Sequence, residues 1–332
     1  MRVVRSPGNA AVKAARRLAR ARARAETGTF LVEGPHAVAE AGQHLERLFV
    51  TAEAHGKHPD LVAVAAARGA DVVRVDERVL AALATTPSAQ GVVGVARLPR
   101  ADLTKAVTGA RLVVVLVDAR EPGNVGTVVR TADAAGADAV VLAGACAEPG
   151  NPRTVRASAG SLFHLPVAAA AWPEALAACT AARLRTVAAD GAAAARHTDI
   201  DLTGPVALVF GNEAHGLPPE VVAACDDAAR VPIHGAAESL NLAAAAAVFC
   251  YEVVRQRADR GSGPQVVPAS GDFHRVTAAT GDRENRSAGS AGSAGSAGSA
   301  GSAGSAGSAG SAGSAGSAGS AGSAGSAGSA GS

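Results

Sequence analysis

LVVVLVD, at residues 112–118, is a run of six apolar side chains that ends at an aspartate. A continuous apolar run of this length is typical of a strand buried on both faces, as in a parallel sheet. Similar runs recur at residues 139–142, 186–189 and 206–210, and a helical pattern follows each of them. Strands that alternate with helices predict an α/β fold, an open parallel sheet with helices on both faces.

The position of a ligand site follows from this sheet. In open parallel sheets, ligands bind beyond the carboxyl ends of the strands. The rule selects three segments, which begin after Val117, after Phe210 and around residues 231–233. Each of the three contains polar residues or glycines of the kind that bind ligands or take part in catalysis.

The first segment is DAREPGNVGTVVR, residues 118–130. Pro122 suits the first turn of a helix, and Asn124 and Arg130 lie nearly two turns apart, so they could face a common cleft. An asparagine cap and a solvated arginine are the plainer alternative. The segment lacks the GxGxxG pattern, which argues against a dinucleotide site.

The second segment, GNEAHGLP at residues 211–218, places a carboxylate between two glycines at a strand end. Glycines there allow a ligand to approach the backbone closely. Glu213 would accept a ligand hydrogen bond or orient an arginine, or it would simply face water. His215 fits a loop histidine better than a base.

The third segment, RVPIHGAAESLN at residues 230–241, precedes an alanine-rich helix. Ser239 or Asn241 would cap that helix. The same two polar residues would also hold a substrate group at the positive end of the helix dipole.

Together, NxGxxxR, GNExxGL and VPIxGxxESLN resemble the motifs of the SpoU (TrmH-like) family of SPOUT-class RNA methyltransferases. The resemblance covers roughly residues 112–257. It implies a C-terminal parallel-sheet SPOUT domain with a deep trefoil knot, although knots are nearly absent from proteins in general. FLVEG, at residues 30–34, resembles the substrate-binding domain that precedes the catalytic domain in many relatives.

The resemblance also assigns roles to residues. It implies that S-adenosylmethionine binds mainly to backbone groups of the knot loops, at Gly211, Asn212, Gly216, Val231, Pro232, Ile233 and Leu240. It implies that the polar catalytic residues are Arg130, Asn124, Glu213, Ser239 and Asn241. Relatives often carry Met where this chain has Ile233, which is similar in volume and apolar. Arg130 would act as a base or as a phosphate clamp, and Asn124 and Glu213 would orient it.

Apolar runs and helical patterns before residue 98 predict a smaller α/β unit ahead of the sheet. The predicted organisation is an RNA substrate-binding domain at 1–98, a linker at 99–110, the methyltransferase domain at 111–258 and a tail at 259–332. From residue 287 the tail repeats Ser-Ala-Gly, which cannot bury enough apolar surface to order itself.

Charge points to a nucleic-acid partner, although the net charge is only +2. The first 30 residues contain one acid and eight basic residues: Arg2, Arg5, Lys13, Arg16, Arg17, Arg20, Arg22 and Arg24. Such a run is typical of a protein that contacts phosphates, or alternatively of a solvated helix. Aromatic residues make up 2% of the chain, too few for a broad base-stacking surface.

The spacing of cysteines and histidines and the lack of long apolar stretches argue against a metalloprotein and against a membrane or secreted protein. The four cysteines are scattered, and no histidine lies at a metal-ligand spacing, so we expect no metal. No stretch resembles a membrane span or the apolar core of a signal peptide, so we expect a cytoplasmic protein.

The sequence therefore predicts an S-adenosylmethionine-dependent enzyme that methylates a ribose 2′-hydroxyl of RNA, with 23S ribosomal RNA as the expected substrate and tRNA as the alternative. A homodimer is implied by the resemblance. A non-catalytic RNA-binding factor of the same fold and a nicotinamide-dependent enzyme are the competing classes.

Overall fold

The computed structural model describes residues 1–85 and 90–261 of the 332-residue chain. The predicted Ser-Ala-Gly tail lies outside these residues.

The first unit is a five-stranded mixed sheet with helices around it. Its strands are β1 (Arg2–Val4), β2 (Thr29–Glu33), β3 (Leu45–Val50), β4 (Asp71–Val75) and β5 (Val92–Arg97), in the order β1-β4-β3-β5-β2. Its helices are α1 (Ala10–Arg17), α2 (Ala21–Thr27), α3 (Pro35–Ala41), α4 (Ala52–Lys57), α5 (Pro59–Ala67) and α6 (Glu77–Leu83). β4 is parallel to β1 and β3, whereas β5 is antiparallel to β3 and β2. The predicted small α/β unit is present.

The second unit is a seven-stranded sheet in which every pair is parallel. Its strands are β6 (Leu112–Val117), β7 (Ala139–Ala143), β8 (Val167–Ala170), β9 (Arg185–Ala189), β10 (Ala195–Arg196), β11 (Val206–Phe210) and β12 (Asp227–Arg230), in the order β10-β12-β9-β11-β6-β7-β8. Its helices are α7 (Leu103–Val107), α8 (Pro122–Ala134), α9 (Pro152–Ser158), α10 (Trp172–Ala181), α11 (Pro219–Ala224) and α12 (Leu242–Asp259).

β6 is buried on both faces, as its apolar run predicts. Leu112, Val114 and Leu116 pack into the core that contains residues of α8 and α12. The alternate residues Val113 and Val115 pack into a second core with residues of α7 and α10. Because side chains alternate across a strand, a sheet covered by helices on both faces requires apolar residues at every position.

One prediction about this unit is wrong. We expected a helix after the strand at residues 186–189, but the chain there makes turns and the two-residue strand β10 before it enters β11. β8 and β12 have no apolar run in the sequence, because β8 is mostly alanine and β12 is DAAR. The neighbouring strands, rather than local propensity, make these segments extended.

The two units meet through a buried arginine. Arg24 is 5% exposed, and its guanidinium donates to both carboxylate oxygens of Glu148 at 3.0 and 2.7 Å and to the Leu18 carbonyl. The basic run predicts that Arg24 is one of the residues that contact phosphates. For Arg24 this prediction is wrong, because a buried cation needs a carboxylate partner and Arg24 already has one. The other seven basic residues of the run are exposed.

A second polar contact joins the units beside α3. His164 lies within hydrogen-bond distance of Glu40, at 2.6 Å, and of Asp133, at 3.2 Å. Hydrogen bonds with Asp133 and Glu40 outweigh burial and raise the pKa of His164 to about 10. The imidazole is therefore a cation at neutral pH, held between a carboxylate of the first unit and one of the second.

At the C-terminal end of the second unit, the order of the elements along the chain differs from their order in space. β12 lies between β9 and β10, yet the helix that follows it, α12, packs on α8. The trefoil knot stays a prediction of the resemblance, and so do the domain boundaries, although α7 lies within the predicted linker at 99–110. Within residues 1–85 and 90–261, no helix is both long and apolar enough to cross a membrane.

Candidate active site

The three motifs meet at one edge of the second sheet, beyond the carboxyl ends of its strands. β6 and β11 are neighbours in register, so the loops after Val117 and Phe210 lie side by side. The loop after β12 begins two strands away and ends at Asn241, which reaches back to the first motif. The position that the topology rule predicts for a ligand site is therefore where the polar residues are.

Glu213 connects the second motif to the first. Its carboxylate accepts hydrogen bonds from the backbone N–H groups of Arg120 and Glu121 and from the side-chain amide of Asn124, each at 3.2 Å. Partial burial raises the pKa of Glu213, but these hydrogen bonds and one with its own backbone outweigh burial and lower the pKa. Glu213 is thus an ionised acceptor that joins two loops, and a carboxylate so occupied is a poor general base.

Asn124 and Asn241 connect the first motif to the third. The Asn241 amide donates to the Asn124 side-chain oxygen at 3.0 Å, while its own side-chain oxygen caps α12 at the Ala243 N–H. A chain of side-chain hydrogen bonds therefore runs from Asn241 through Asn124 to Glu213. Asparagine suits the two positions because its amide donates and accepts at once.

The loop that contains Glu213 is closed on itself. Asn212 and Gly216 exchange two backbone hydrogen bonds, of 2.9 and 2.8 Å, and the Asn212 amide donates to the Asp118 carbonyl at 2.8 Å. Gly211 lies under this closure, where an added Cβ would be 2.2 Å from the Gly216 carbonyl carbon. Only glycine fits at 211 without moving the backbone.

The third motif is open by comparison. Val231 and Pro232 are half-buried, Ile233 and Leu240 are each 39% exposed, and Ser239 is exposed. Within the described chain, no hydrogen bond uses the backbone N–H or C=O groups of residues 231–240. Small-molecule sites commonly combine apolar side chains with backbone N–H and C=O groups that are free to bind the ligand. The residues of this motif that are assigned to S-adenosylmethionine, Val231, Pro232, Ile233 and Leu240, therefore fit a ligand held through the backbone, whereas the backbone groups of Asn212 and Gly216 already pair with each other.

Arg130 lies apart from this network. Its side chain is exposed on α8, and it makes no hydrogen bond or ion pair with the residues that the structure describes. Six residues separate it from Asn124, which places the two side chains about 120° apart around the helix. In this single chain Asn124 and Glu213 are hydrogen-bonded to other partners and not to Arg130, so their role in orienting Arg130 stays a prediction.

Several residues that line the cleft at this edge are not among the predicted site residues. An open cleft of about 750 Å³ borders Glu213, Asn212 and His215, and also Asp118, Arg120, Glu121 and Arg153. Glu121 caps α8 at the Asn124 N–H and lies 3.5 Å from Arg153. Its place directly before Pro122 is a cap signal that could have identified it, whereas nothing local marks Arg153.

Metal chemistry has no ligand cluster here. In the part of the chain that the structure describes, no group of three or more His, Cys, Asp or Glu side chains could hold an ion. Burial raises the pKa of Cys146, Cys179 and Cys225 to about 11 and that of Cys250 to about 12, so all four are protonated thiols.

A parallel α/β domain with ligand loops at one sheet edge, preceded by a smaller α/β unit, defines a two-domain protein of the methyltransferase class. The SpoU rRNA Methylase family profile matches residues 111–251, and an MRM3-like substrate binding domain profile matches residues 9–94. A collagen triple helix repeat profile matches residues 284–332, where glycine recurs at every third position.

Individual relatives agree with these profiles. The chain is 32% identical, over 76% of its length and 99% of the relative's, to the Bacillus subtilis 23S rRNA (guanosine(2553)-2′-O)-methyltransferase RlmP. It superposes with a TM-score of 0.70 on an AdoMet-bound rRNA methyltransferase from Sinorhizobium meliloti, at 34% identity over 76% of this chain and 97% of that one. The TM-score is 0.69 with AdoMet-bound AviRb of Streptomyces viridochromogenes, at 30% identity over 76% of this chain and 100% of that one. The chain belongs to the SpoU rRNA methylase family.

Proposed function

We propose that this protein is an S-adenosylmethionine-dependent methyltransferase that methylates a ribose 2′-hydroxyl of 23S ribosomal RNA. The observation that carries the proposal is the hydrogen-bonded chain Asn241–Asn124–Glu213, which brings the three motifs together at the ligand-binding edge of the sheet. Two relatives that are covered over 99% and 88% of their length are named as enzymes of this reaction on 23S rRNA, which favours rRNA over tRNA.

The cofactor residues in this proposal are the seven predicted ones. The closed loop contributes Gly211, Asn212 and Gly216, and the loop after β12 contributes Val231, Pro232, Ile233 and Leu240. When bound, S-adenosylmethionine supplies a methyl group already activated by its sulfonium. The protein then has to hold the ribose oxygen in line with that methyl group and manage its proton.

Arg130 is proposed as a phosphate clamp rather than a base. A guanidinium stays protonated in proteins, so it cannot accept the 2′-hydroxyl proton at neutral pH. A cation beside the ribose would instead bind the adjacent phosphate and stabilise the developing alkoxide. Ser239 and Asn241 would form the wall of the ribose site. Because Arg130 has no polar partner among the described residues, RNA or a second subunit would hold it.

A homodimer through the second unit is part of the proposal. Ile233 and Leu240 in the third motif and Tyr251 on α12 are exposed apolar or aromatic side chains, and Tyr251 is 51% exposed. A second subunit would remove this surface from water. Light scattering of the purified protein measures the oligomeric state, and a monomer at micromolar concentration would contradict this part. A cytoplasmic location stays a prediction.

The proposal is tested with Arg130→Ala and a 23S rRNA transcript. We expect methyl transfer to fall about 10²- to 10³-fold, the cost of removing one donor that stabilises transition-state charge. S-adenosylmethionine affinity, measured by calorimetry, should stay within several-fold. The control Arg183→Ala removes an equally exposed charge just before β9, at the opposite edge of the sheet, and should leave transfer unchanged.

The product identifies the methylated atom. A 2′-O-methyl group removes the nucleophile that cuts RNA in alkali, so the modified transcript should release one alkali-resistant dinucleotide. Mass spectrometry should place the added methyl group on the sugar. A methyl group on a base would make the proposed reaction wrong even though the family assignment stands.

A further inference from the structure

A pocket of about 280 Å³ lies between the two units, outside the cleft described above. The first unit contributes Leu31, Pro35 and His36, and α9 contributes Pro152, Val155 and Arg156. Its volume is just below the range of about 300–1,000 Å³ that is usual for small-molecule sites. A pocket of this size suits one planar ring system rather than a long ligand.

α9 connects this pocket to the cleft. Arg153 lines the cleft, and Arg156, three residues later, lines the pocket. Both side chains are exposed, so α9 carries one positive charge at the cleft and a second at the pocket. A single RNA strand with its ribose in the cleft would follow these two charges along α9 toward the pocket.

The chemistry of the pocket suits a nucleobase. Leu31 and Val155 are buried apolar residues in its wall, and Pro35 adds an apolar ring. His36 and Arg156 are exposed at its rim. Unpaired RNA bases stack on imidazole rings and guanidinium planes as well as on larger aromatic residues. In a chain with 2% aromatic residues, His36 and Arg156 supply the planar side chains of this pocket on which a base can stack.

The walls of the pocket are held in place before any ligand arrives. α9 packs on α8 and on β2, so it contacts both units. The Arg24–Glu148 ion pair and the His164 contact with Glu40 hold the units together on either side of α9. A rigid pocket loses little conformational entropy on binding, which favours a specific contact.

We propose that this pocket binds the base of an unpaired nucleotide next to the methylated one, and so determines which ribose enters the cleft. The inference rests on the proposed function, because it takes the methylated RNA strand as the ligand. Arg156 stacks on the base, and Leu31 and Val155 exclude water from the face of the ring. The pocket is a specificity site, not a catalytic one.

The test is a double-mutant cycle that measures whether Arg156 and one base of the RNA contribute to binding together. The methylated nucleotide is first mapped on 23S rRNA, and short transcripts of that site are then made with an abasic position at each of the two nucleotides on either side. For the wild type, one abasic position should raise KM about tenfold, the usual contribution of one stacked base. For Arg156→Ala, the same abasic position should raise KM by no more than about twofold, since the contact is already gone.

Two results of this cycle would overturn the inference. One is an equal penalty for the abasic position in wild type and Arg156→Ala. The other is no penalty at any of the flanking positions. Arg156 makes no side-chain hydrogen bond with the described residues, so its replacement should leave the fold intact, and kcat should stay within about twofold. Arg183→Ala again serves as the control for loss of one charge.

Photocrosslinking separates failure of the pocket from failure of the proposed function. A 23S rRNA transcript that contains 4-thiouridine is irradiated with the whole protein, and crosslinked peptides are identified by mass spectrometry. Crosslinks at Pro35, His36 or Arg156 support the pocket, and they do not require turnover. Crosslinks confined to the basic helices α1 and α2 and to the cleft would overturn it, whereas absence of methylation alone would contradict only the proposed function.

Discussion

Two loops at the same edge of the second sheet are built in opposite ways. The closed loop, residues 211–216, exchanges backbone hydrogen bonds with itself and receives three more at Glu213 from the first motif. The open loop, residues 231–240, makes no backbone hydrogen bond with the described residues and exposes Ile233 and Leu240. From this difference we predict that the closed loop is a preformed surface, whereas the open loop takes its final form when a ligand or a second subunit binds.

The largest expected effect comes from a matched pair of glycine-to-alanine substitutions, one in the closed loop and one in the open loop. Gly211→Ala places a Cβ 2.2 Å from the Gly216 carbonyl carbon, so the closed loop must move. Overpacking of this kind costs about 1–3 kcal/mol or more. We expect S-adenosylmethionine affinity to fall at least about 100-fold and Tm to fall by several degrees.

The partner of that pair is Gly235→Ala in the open loop. A Cβ at Gly235 meets nothing within 4 Å. Tm should therefore stay the same within error in thermal denaturation, and calorimetry should show little change in cofactor affinity. Equal losses of stability in the two variants would remove the distinction between the loops.

A second pair uses leucines. Leu217 follows the closed loop and is half-buried against a core cluster, so Leu217→Ala should reduce the free energy of unfolding by about 1–2 kcal/mol. Leu240 lies in the open loop. Leu240→Ala should reduce the free energy of unfolding by less than about 0.5 kcal/mol and should weaken cofactor binding about tenfold. Urea denaturation and calorimetry measure the two quantities. A large loss of stability in Leu240→Ala would show that the open loop is already packed.

A third pair compares carboxylates. Glu213→Gln replaces one acceptor oxygen with an amide that faces a backbone donor, so at least one of its hydrogen bonds is lost. We expect a loss of about 1 kcal/mol in the free energy of unfolding, because the site is solvent-accessible. Glu238→Gln, exposed in the open loop, should change nothing. The prediction fails if urea denaturation gives the same stability for Glu213→Gln and wild type.

The smallest effect is on pH dependence. The pKa of Glu213 is lowered below 4.5 in the folded protein, so its contribution to stability is complete above the ordinary pKa and is lost as the pH falls through the folded value. The difference in Tm between wild type and Glu213→Gln should therefore be constant above about pH 5 and shrink below it. A difference that grows on acidification would mean that the carboxylate is protonated in the native closed loop.

Much of this architecture could be predicted because it depends on local patterns. The apolar run at residues 112–117 predicted a strand buried on both faces, and the observed cores on either side confirm it. The predicted edge for the ligand site also agrees with the structure, since parallel strands bring their carboxyl ends together. The expected helix after β9 was wrong because an apolar run does not specify the connection that follows it.

Other features could not be read from residue types. A run of eight basic residues gave no sign that Arg24 is buried, because its partner, Glu148, is 124 residues away. The pairing of Glu213 with Asn124 rather than with Arg130 likewise depends on which helix face reaches the loop. Arg153 and Arg156 carry no local signal, and only packing of α9 between the units places one at the cleft and the other at the pocket.

The fold class, the order of the two units, the family and the three segments that meet at the sheet edge can all be predicted from the amino-acid sequence. These properties follow from hydrophobic periodicity and from short motifs, which act over a few residues. In contrast, which side chains are partners, which loop is closed and which arginine is buried depend on the three-dimensional packing. Hydrogen bonds and burial act over a few ångströms in space, and residues more than 100 positions apart, such as Asn124 and Asn241, come that close only in the folded chain.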